Sequence, residues 1–212
     1  MKYFILIFIS LITLVICASC GLIHTTKGAP TKEQKELMEE YGGIYVFDKA
    51  IRDEIIALQK QELIERKKVS LDDPNFVKKM VALEEKYSIL SNGYKYSDGL
   101  GYYEKEYEPY YQKIKEYMGE EIFKELKPDI ILTSFYRIKE KDKEKHIPIT
   151  FLVEFTWTIT TYGLYGDEGA GFRFTETRKT GMGGDNIFYL ENGRFIKSNE
   201  KRKDMKWLLK TL

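Results

Sequence analysis

The chain has 212 residues, 34 Lys plus Arg against 33 Asp plus Glu, and a formal charge of +1. That length suits one domain with a sizeable core, and so even a balance excludes general nucleic-acid binding, which needs a basic excess to displace counterions from phosphates. Aromatic residues at 14% exclude a disordered chain.

At the N-terminus, Lys2 supplies a short positive region. Tyr3 to Cys17 is an apolar run broken only by Ser10 and Thr13, and the small residues Ala18 and Ser19 follow. This is the layout of a secretory signal peptide over residues 1–19; the run is short for a membrane span, which takes roughly 20 apolar residues. The stretch Cys17-Ala18-Ser19-Cys20-Gly21 resembles the lipobox of bacterial lipoproteins. It matches at the two small positions and the modified cysteine, and departs at Cys17, where the family usually has Leu. The resemblance implies a diacylglyceryl group on Cys20, cleavage just before it, and a membrane partner reached through lipid. Gly21 in place of the Asp of inner-membrane retention implies an outer-membrane or cell-surface location.

Residues 20–31, with Gly28 and Pro30, read as a lipidated tether, and residues 32–212 as a single envelope domain. Loss of the leader removes Lys2 alone among charged side chains, so the mature side-chain charge is zero. The only cysteines are Cys17 and Cys20, so the domain has no disulfide to rely on.

Thr31 and Gln34 fit a capping box, followed by Leu37, Met38 and Tyr41, and Gly42-Gly43 ends that helix. Asp48 caps a second helix carrying Ile51, Ile55, Leu58 and Leu63 at helical spacing. Asp73-Pro74 predicts the next start, with Asp at the N-cap and Pro at the first helical position. Phe76, Met80, Leu83, Tyr87 and Leu90 then form an apolar stripe that packs on a neighbouring element. Residues 91–103 read as a loop by their Gly, Asn, Asp and Ser content. A further helix starts near Pro109, carries Tyr110, Ile114, Tyr117, Ile122 and Leu126, and ends at Lys127-Pro128.

From there the period changes to two. Ile130 to Ile138 is a candidate strand, and the seven charges of 139–145 read as a solvated hairpin connection. Ile149, Phe151, Val153, Phe155, Trp157 and Ile159 alternate with a threonine-rich set, the pattern of a long half-buried strand. Gly163 to Gly169 makes a turn, Phe172 and Phe174 begin the returning strand, and Asn192-Gly193 closes a tight hairpin. Residues 200–212 read as a short basic helix that docks on the domain or touches the membrane. The predicted fold is α+β, with N-terminal helices packed on one face of a C-terminal antiparallel β-meander. That order and the closing hairpin resemble, at fold level only, NTF2-like and cystatin-like domains, which host many functions.

Chemistry is sparse. The only histidines are His24 and His146, in the tether and beside the charged hairpin, so Ser-His or Cys-His catalysis and His/Cys metal clusters lack their parts. No cofactor is expected: the glycine stretches 166–169 and 181–185 match neither a phosphate cradle nor a calcium loop. Glu154, Asp167, Glu168 and Glu176 are the carboxylates that glycoside hydrolysis would draw on; Glu176 shares parity with Phe172 and Phe174, which points it inward with Arg178 as partner. Eight of the 16 tyrosines fall between Tyr94 and Tyr117. Tyr94, Tyr96, Tyr102 and Tyr111 are candidates for a contact surface, and Trp157, Glu176 and Arg178 for a pocket. These features favour a non-enzymatic, membrane-anchored domain that binds an envelope protein, glycan or small ligand. The alternatives are a carboxylate-dependent glycan hydrolase and a purely structural lipoprotein.

Overall fold

The computed structural model describes residues 25–101, 105–140, 143–167, 169 and 171–205. The chain is α+β. In order it forms β1 (Thr25–Lys27), α1 (Lys32–Tyr41), β2 (Gly43–Val46), α2 (Lys49–Arg66), α3 (Phe76–Tyr87) and β3 (Tyr96–Gly101). A 3-10 turn (Lys105–Tyr107), α4 (Glu108–Met118) and α5 (Glu120–Leu126) follow, then β4 (Asp129–Glu140), β5 (Lys143–Asp167), β6 (Gly171–Gly183), β7 (Asn186–Glu191), β8 (Arg194–Lys201) and a second 3-10 turn, Arg202–Met205. The described residues form two compact units, one made of residues 25–31 with those of 156–181, the other of those of 32–155 with 182–205. Among the described residues no helix is long and apolar enough to cross a membrane.

In the larger unit the strand order is β3-β4-β5-β2-β7-β8. β2 is the departure from the sequence reading. It lies antiparallel to β5 and parallel to β7, with Tyr45 opposite both Phe151 and Phe188, so the sheet is mixed and not a pure antiparallel meander. The four residues Gly43–Val46 show no alternation because both of their faces are covered (Tyr45 and Val46 are wholly buried), and a strand buried on both faces has no polar side to reveal it. The Gly42-Gly43 pair does end α1, but it also lets backbones meet: a Cβ on Gly42 would strike the backbone of Gly184, and one on Gly43 that of Asn186.

One face of these central strands is aromatic. Tyr45 stacks on Phe188 at 4.5 Å and meets Phe195 edge-on at 4.9 Å. α4 covers this face, with Tyr110 against Phe47, Tyr111 against Phe151 and Tyr117 against Phe188. The alternate side chains Ile44, Val46, Ile187 and Tyr189 form a second cluster. A third joins Ile55 of α2 to Leu90, Tyr96 and Ile149. Thr150, expected on a solvated face, is buried and shares hydroxyl hydrogen bonds with Thr133 and Ser134.

Helix boundaries follow their signals with two corrections. Asp48 caps α2, its carboxylate accepting from the Ile51 N–H at 3.0 Å. α3 starts at Phe76, not at Pro74, because Asp73 spends its side chain on the Asn75 N–H and its carbonyl on the Phe76 N–H. The stripe Phe76, Met80, Leu83 and Tyr87 is its more covered face, though no α3 residue is fully buried. The helix expected from Pro109 to Leu126 breaks at Gly119, whose φ of +84° suits glycine and few other residues.

Three loop or tail assignments also change. Only residues 91–94 of the expected loop turn, and Tyr96–Gly101 pairs with β4 as an edge strand. β4 and β5 run into the charged stretch, where Lys139 stands opposite Glu144 in the register, an opposite-charge pair that suits a ladder. β8 continues to Lys201, where a helix was expected from residue 200; residues 206–212 lie outside the described residues. The β7–β8 turn is as read, with Asn192 (φ 49°) and Gly193 (φ 82°) both left-handed.

In the smaller unit, β1 and β6 each pair with β5. Part of the stretch read as a free tether is therefore fixed, with Thr25 opposite Tyr162 and Lys27 opposite Thr160.

Candidate binding cleft

The larger unit carries a cleft of about 480 Å³ between α4, α5 and the start of β4. Its geometry follows from α4. Glu108, Tyr111, Gln112 and Lys115 recur at helical spacing and line one wall. Pro109 sets the helix start and Gly119 ends it, turning α5 so that Phe123 faces the cleft. Lys127 closes α5 in the left-handed conformation, and Pro128, Asp129 and Ile130 then enter β4 along the remaining wall.

The lining is thus mixed. Tyr111 is buried among core residues, and with Phe123, Pro128 and Ile130 it makes the apolar part. Glu108, Gln112 and Asp129 are exposed polar groups. Lys115 is held by Glu120 of α5 at 3.2 Å, which ties the two helices across their break. Asp129 lies directly opposite Glu154 in the β4–β5 register. The volume lies in the range of small-ligand sites, and the lining, half polar and half apolar, is more polar than most of them.

Tyr111 is the sequence candidate that the cleft contains. Tyr94 is 42% exposed and stacks at 5.6 Å on Tyr136 of β4, which is itself half-buried. Tyr96 is buried in the cluster with Ile55, Leu90 and Ile149, and burial followed by the nearby Asp98 charge raises its phenol pKa. Cys20 and Tyr102 lie outside the described residues. Trp157, Glu176 and Arg178 belong to the smaller unit. Trp157 is half-buried, and its indole Nε1 is buried with no acceptor among the described residues. Glu176 is exposed, where it was expected to point inward, and its ion pair is with Arg173 at 3.5 Å, not with Arg178; residues 173–179 of β6 are exposed on both faces, so strand parity selects no interior. Of the other carboxylates, Glu154 is half-buried, and the side chains of Asp167 and Glu168 lie outside the described ones.

The remaining polar clusters have structural surroundings. His146 packs its ring on Phe135 at 4.5 Å, with Tyr107 Oη 3.4 Å from Nδ1 and Glu144 3.7 Å from Nε2. Buried Arg52 of α2 donates to Tyr189 Oη, which in turn donates to Glu200 at 3.0 Å. Asp98 meets Gln59 of α2 with Glu62 nearby, and desolvation holds its carboxyl at about 6, above the usual carboxylate range. No group of three or more His, Cys, Asp or Glu among the described residues is placed to hold a metal ion.

Most of the cleft was missed from sequence. The signal available was the repeat of Glu108, Gln112 and Lys115 along one helix side. Ile130 reads there only as the start of a strand and Phe123 carries no assignment, because a single helix from Pro109 to Leu126 hides the turn at Gly119 that faces Phe123 to the cleft. The chain matches no protein-family model, no curated protein and no solved structure.

Proposed function

We infer that the chain is a lipid-anchored envelope lipoprotein whose larger unit binds a small envelope ligand without catalysis. The anchor rests on the signal-peptide layout and the lipobox-like Ala18-Ser19-Cys20. The observation that carries the binding reading is the α4–α5–β4 cleft, with Tyr111 buried on one side and hydrogen-bonding Gln112, Glu108 and Asp129 at the rim. None of the eight lining residues is a histidine, cysteine or serine, which favours binding over nucleophilic chemistry. In this reading the helices form a layer on the Phe151 face of the sheet, and the cleft is the gap that the α4–α5 break leaves in that layer.

The test is a two-part experiment on the acylated protein. Metabolic labelling with a fatty-acid analogue is expected to mark the wild type and not Cys20→Ala. Titration with an N-acetylglucosamine disaccharide, a short peptide and a fatty acid, followed by NMR at Phe123 and Ile130, is expected to give saturable shifts with one of them. Gln112→Trp, which fills the cleft from its solvent side, should abolish those shifts and leave the thermal melt unchanged. Equal label in Cys20→Ala would refute the anchor, and no saturable shift with any probe would refute the cleft. Turnover of a chromogenic glycoside, lost in Glu108→Gln, would assign the cleft to hydrolysis instead.

A further inference from the structure

The smaller unit presents a strand face of unusual composition. On β5, Thr158, Thr160 and Tyr162 share one side by two-residue alternation; on β6, Arg173, Thr175, Thr177 and Lys179 share one side. The Thr160 and Thr177 hydroxyls lie 3.3 Å apart, which puts these two sets on the same face. Lys27 joins them from β1: it is paired with Thr160, and its ammonium sits 5.6 Å from the centre of the Tyr162 ring. Lys27, Tyr162 and every β6 residue of that set are exposed. The described face thus holds threonine hydroxyls, one aromatic ring and three cations. Its sole ion pair among the described residues is Arg173 with Glu176, an exposed contact of little strength.

We propose that this face docks on anionic lipid headgroups, an inference that rests on the lipid anchor proposed above. Cys20 and Thr25 are five positions apart, which limits their separation to about 18 Å of fully extended chain. Thr25 is fixed in register against Tyr162. A lipid on Cys20 therefore holds the Tyr162 side of this unit within about two Debye lengths of the headgroups at 0.1 M salt. So short a tether lets the face reach the headgroups, and within one Debye length of them the cations Lys27, Lys179 and Arg173 are drawn to phosphate. The threonine hydroxyls and the tyrosine tip suit the hydrogen-bonding headgroup layer, where amphipathic rings settle. Each basic residue near an anionic surface multiplies association roughly fivefold. Lys27→Glu with Lys179→Glu should therefore lower the docked-to-undocked ratio by more than roughly 25-fold.

The acylated full-length product, labelled at Thr175→Cys with an environment-sensitive dye, is reconstituted in vesicles of phosphatidylcholine alone or mixed with phosphatidylglycerol. Flotation reports the anchor and dye emission reports the face. The expected result is flotation with both vesicles and a blue shift only on the anionic ones. That shift should be lost on adding salt, and in the Lys27→Glu/Lys179→Glu variant with its thermal melt unchanged. Flotation with no blue shift, or a shift equal in the double variant, overturns the docking face and leaves the anchor standing. A blue shift that appears only when cell-wall glycan or another protein is added assigns the face to that partner and overturns lipid docking. Failure to float removes the anchor and the docking inference together.

Discussion

Asn186 is where one side chain holds the most structure. Its amide nitrogen donates to the carbonyls of Glu39 at 2.7 Å and of Glu40 and Gly42 at 3.0 Å, while its Oδ1 accepts from Lys201 at 2.9 Å. The residue is 3% exposed. These carbonyls belong to the C-terminal end of α1 and the turn after it, which the helix itself cannot satisfy. Asn186→Ala removes both donated hydrogens and the lysine's acceptor. At roughly 1–1.5 kcal/mol for each hydrogen bond lost, with part of the carbonyl desolvation added, the cost is about 2–4 kcal/mol, a large part of the 5–15 kcal/mol a domain usually has. Asn186→Asp separates this account from simple loss of packing. It keeps the volume but turns a carboxylate oxygen, which only accepts, toward three carbonyls that also only accept. Lys201 offsets part of that repulsion, yet the aspartate should be the less stable of the two at neutral pH and should recover as pH falls and the carboxyl gains a proton to donate. Urea melts of both variants followed by circular dichroism measure the effect. An aspartate variant at least as stable as the alanine variant, at every pH, would refute the hydrogen-bond account.

Three further outcomes follow from the same packing. Phe155, wholly buried, should cost about 3–5 kcal/mol on truncation to Ala, while exposed Thr158→Ala should stay within about 0.5 kcal/mol; equal urea midpoints would show that the alternation in β5 is misread. Gly184→Ala should destabilise severely, since its Cβ would fall on the backbone of Gly42, whereas the same change at Gly99 meets nothing within 4 Å; thermal melts compare the two. Asp98 carries a raised carboxyl, so between its unfolded value near 3.8 and about 6 the native state binds more protons, and stability drops as pH rises through that window. Asp98→Asn should flatten that drop, and melts of both proteins at pH 4.5 and 7 decide it.

What the sequence made legible was what leaves a periodic or capping trace. Asp48, the stripe from Phe76 to Tyr87, Pro109 and Asn192-Gly193 all appear where read, and Ile149 to Phe155 is strand as read, though both of its faces are buried as far as Val153. Each is a local physical requirement: a cap, a face, a fixed φ or a left-handed turn. What stayed hidden depends on distant partners. Gly43–Val46 is a strand because β5 and β7 close on both its edges, and nothing within those four residues records that. Tyr96 was read as a surface ring because its neighbours are loop-forming, yet Ile55 and Ile149 enclose it. The cleft shows both cases. Tyr111 was singled out for its chemistry, but Phe123 and Ile130 reach the same space only because Gly119 breaks the helix.

The placement of β2 sets an order on how the chain can assemble. Its four residues are locked by partners at 150–153 and 186–189, so the sheet cannot close until about 140 further residues are available. Closing so long a loop costs entropy before any pairing repays it, and contacts so remote in sequence slow the search. While the chain is being made, α1, α2 and α3 emerge with apolar sides that have no sheet to cover, and the Gly42–Gly184 and Gly43–Asn186 contacts come only at the last stage. A polypeptide built this way cannot complete its sheet before residue 189 has been made, a delay that suits any chain threaded through a membrane before it folds.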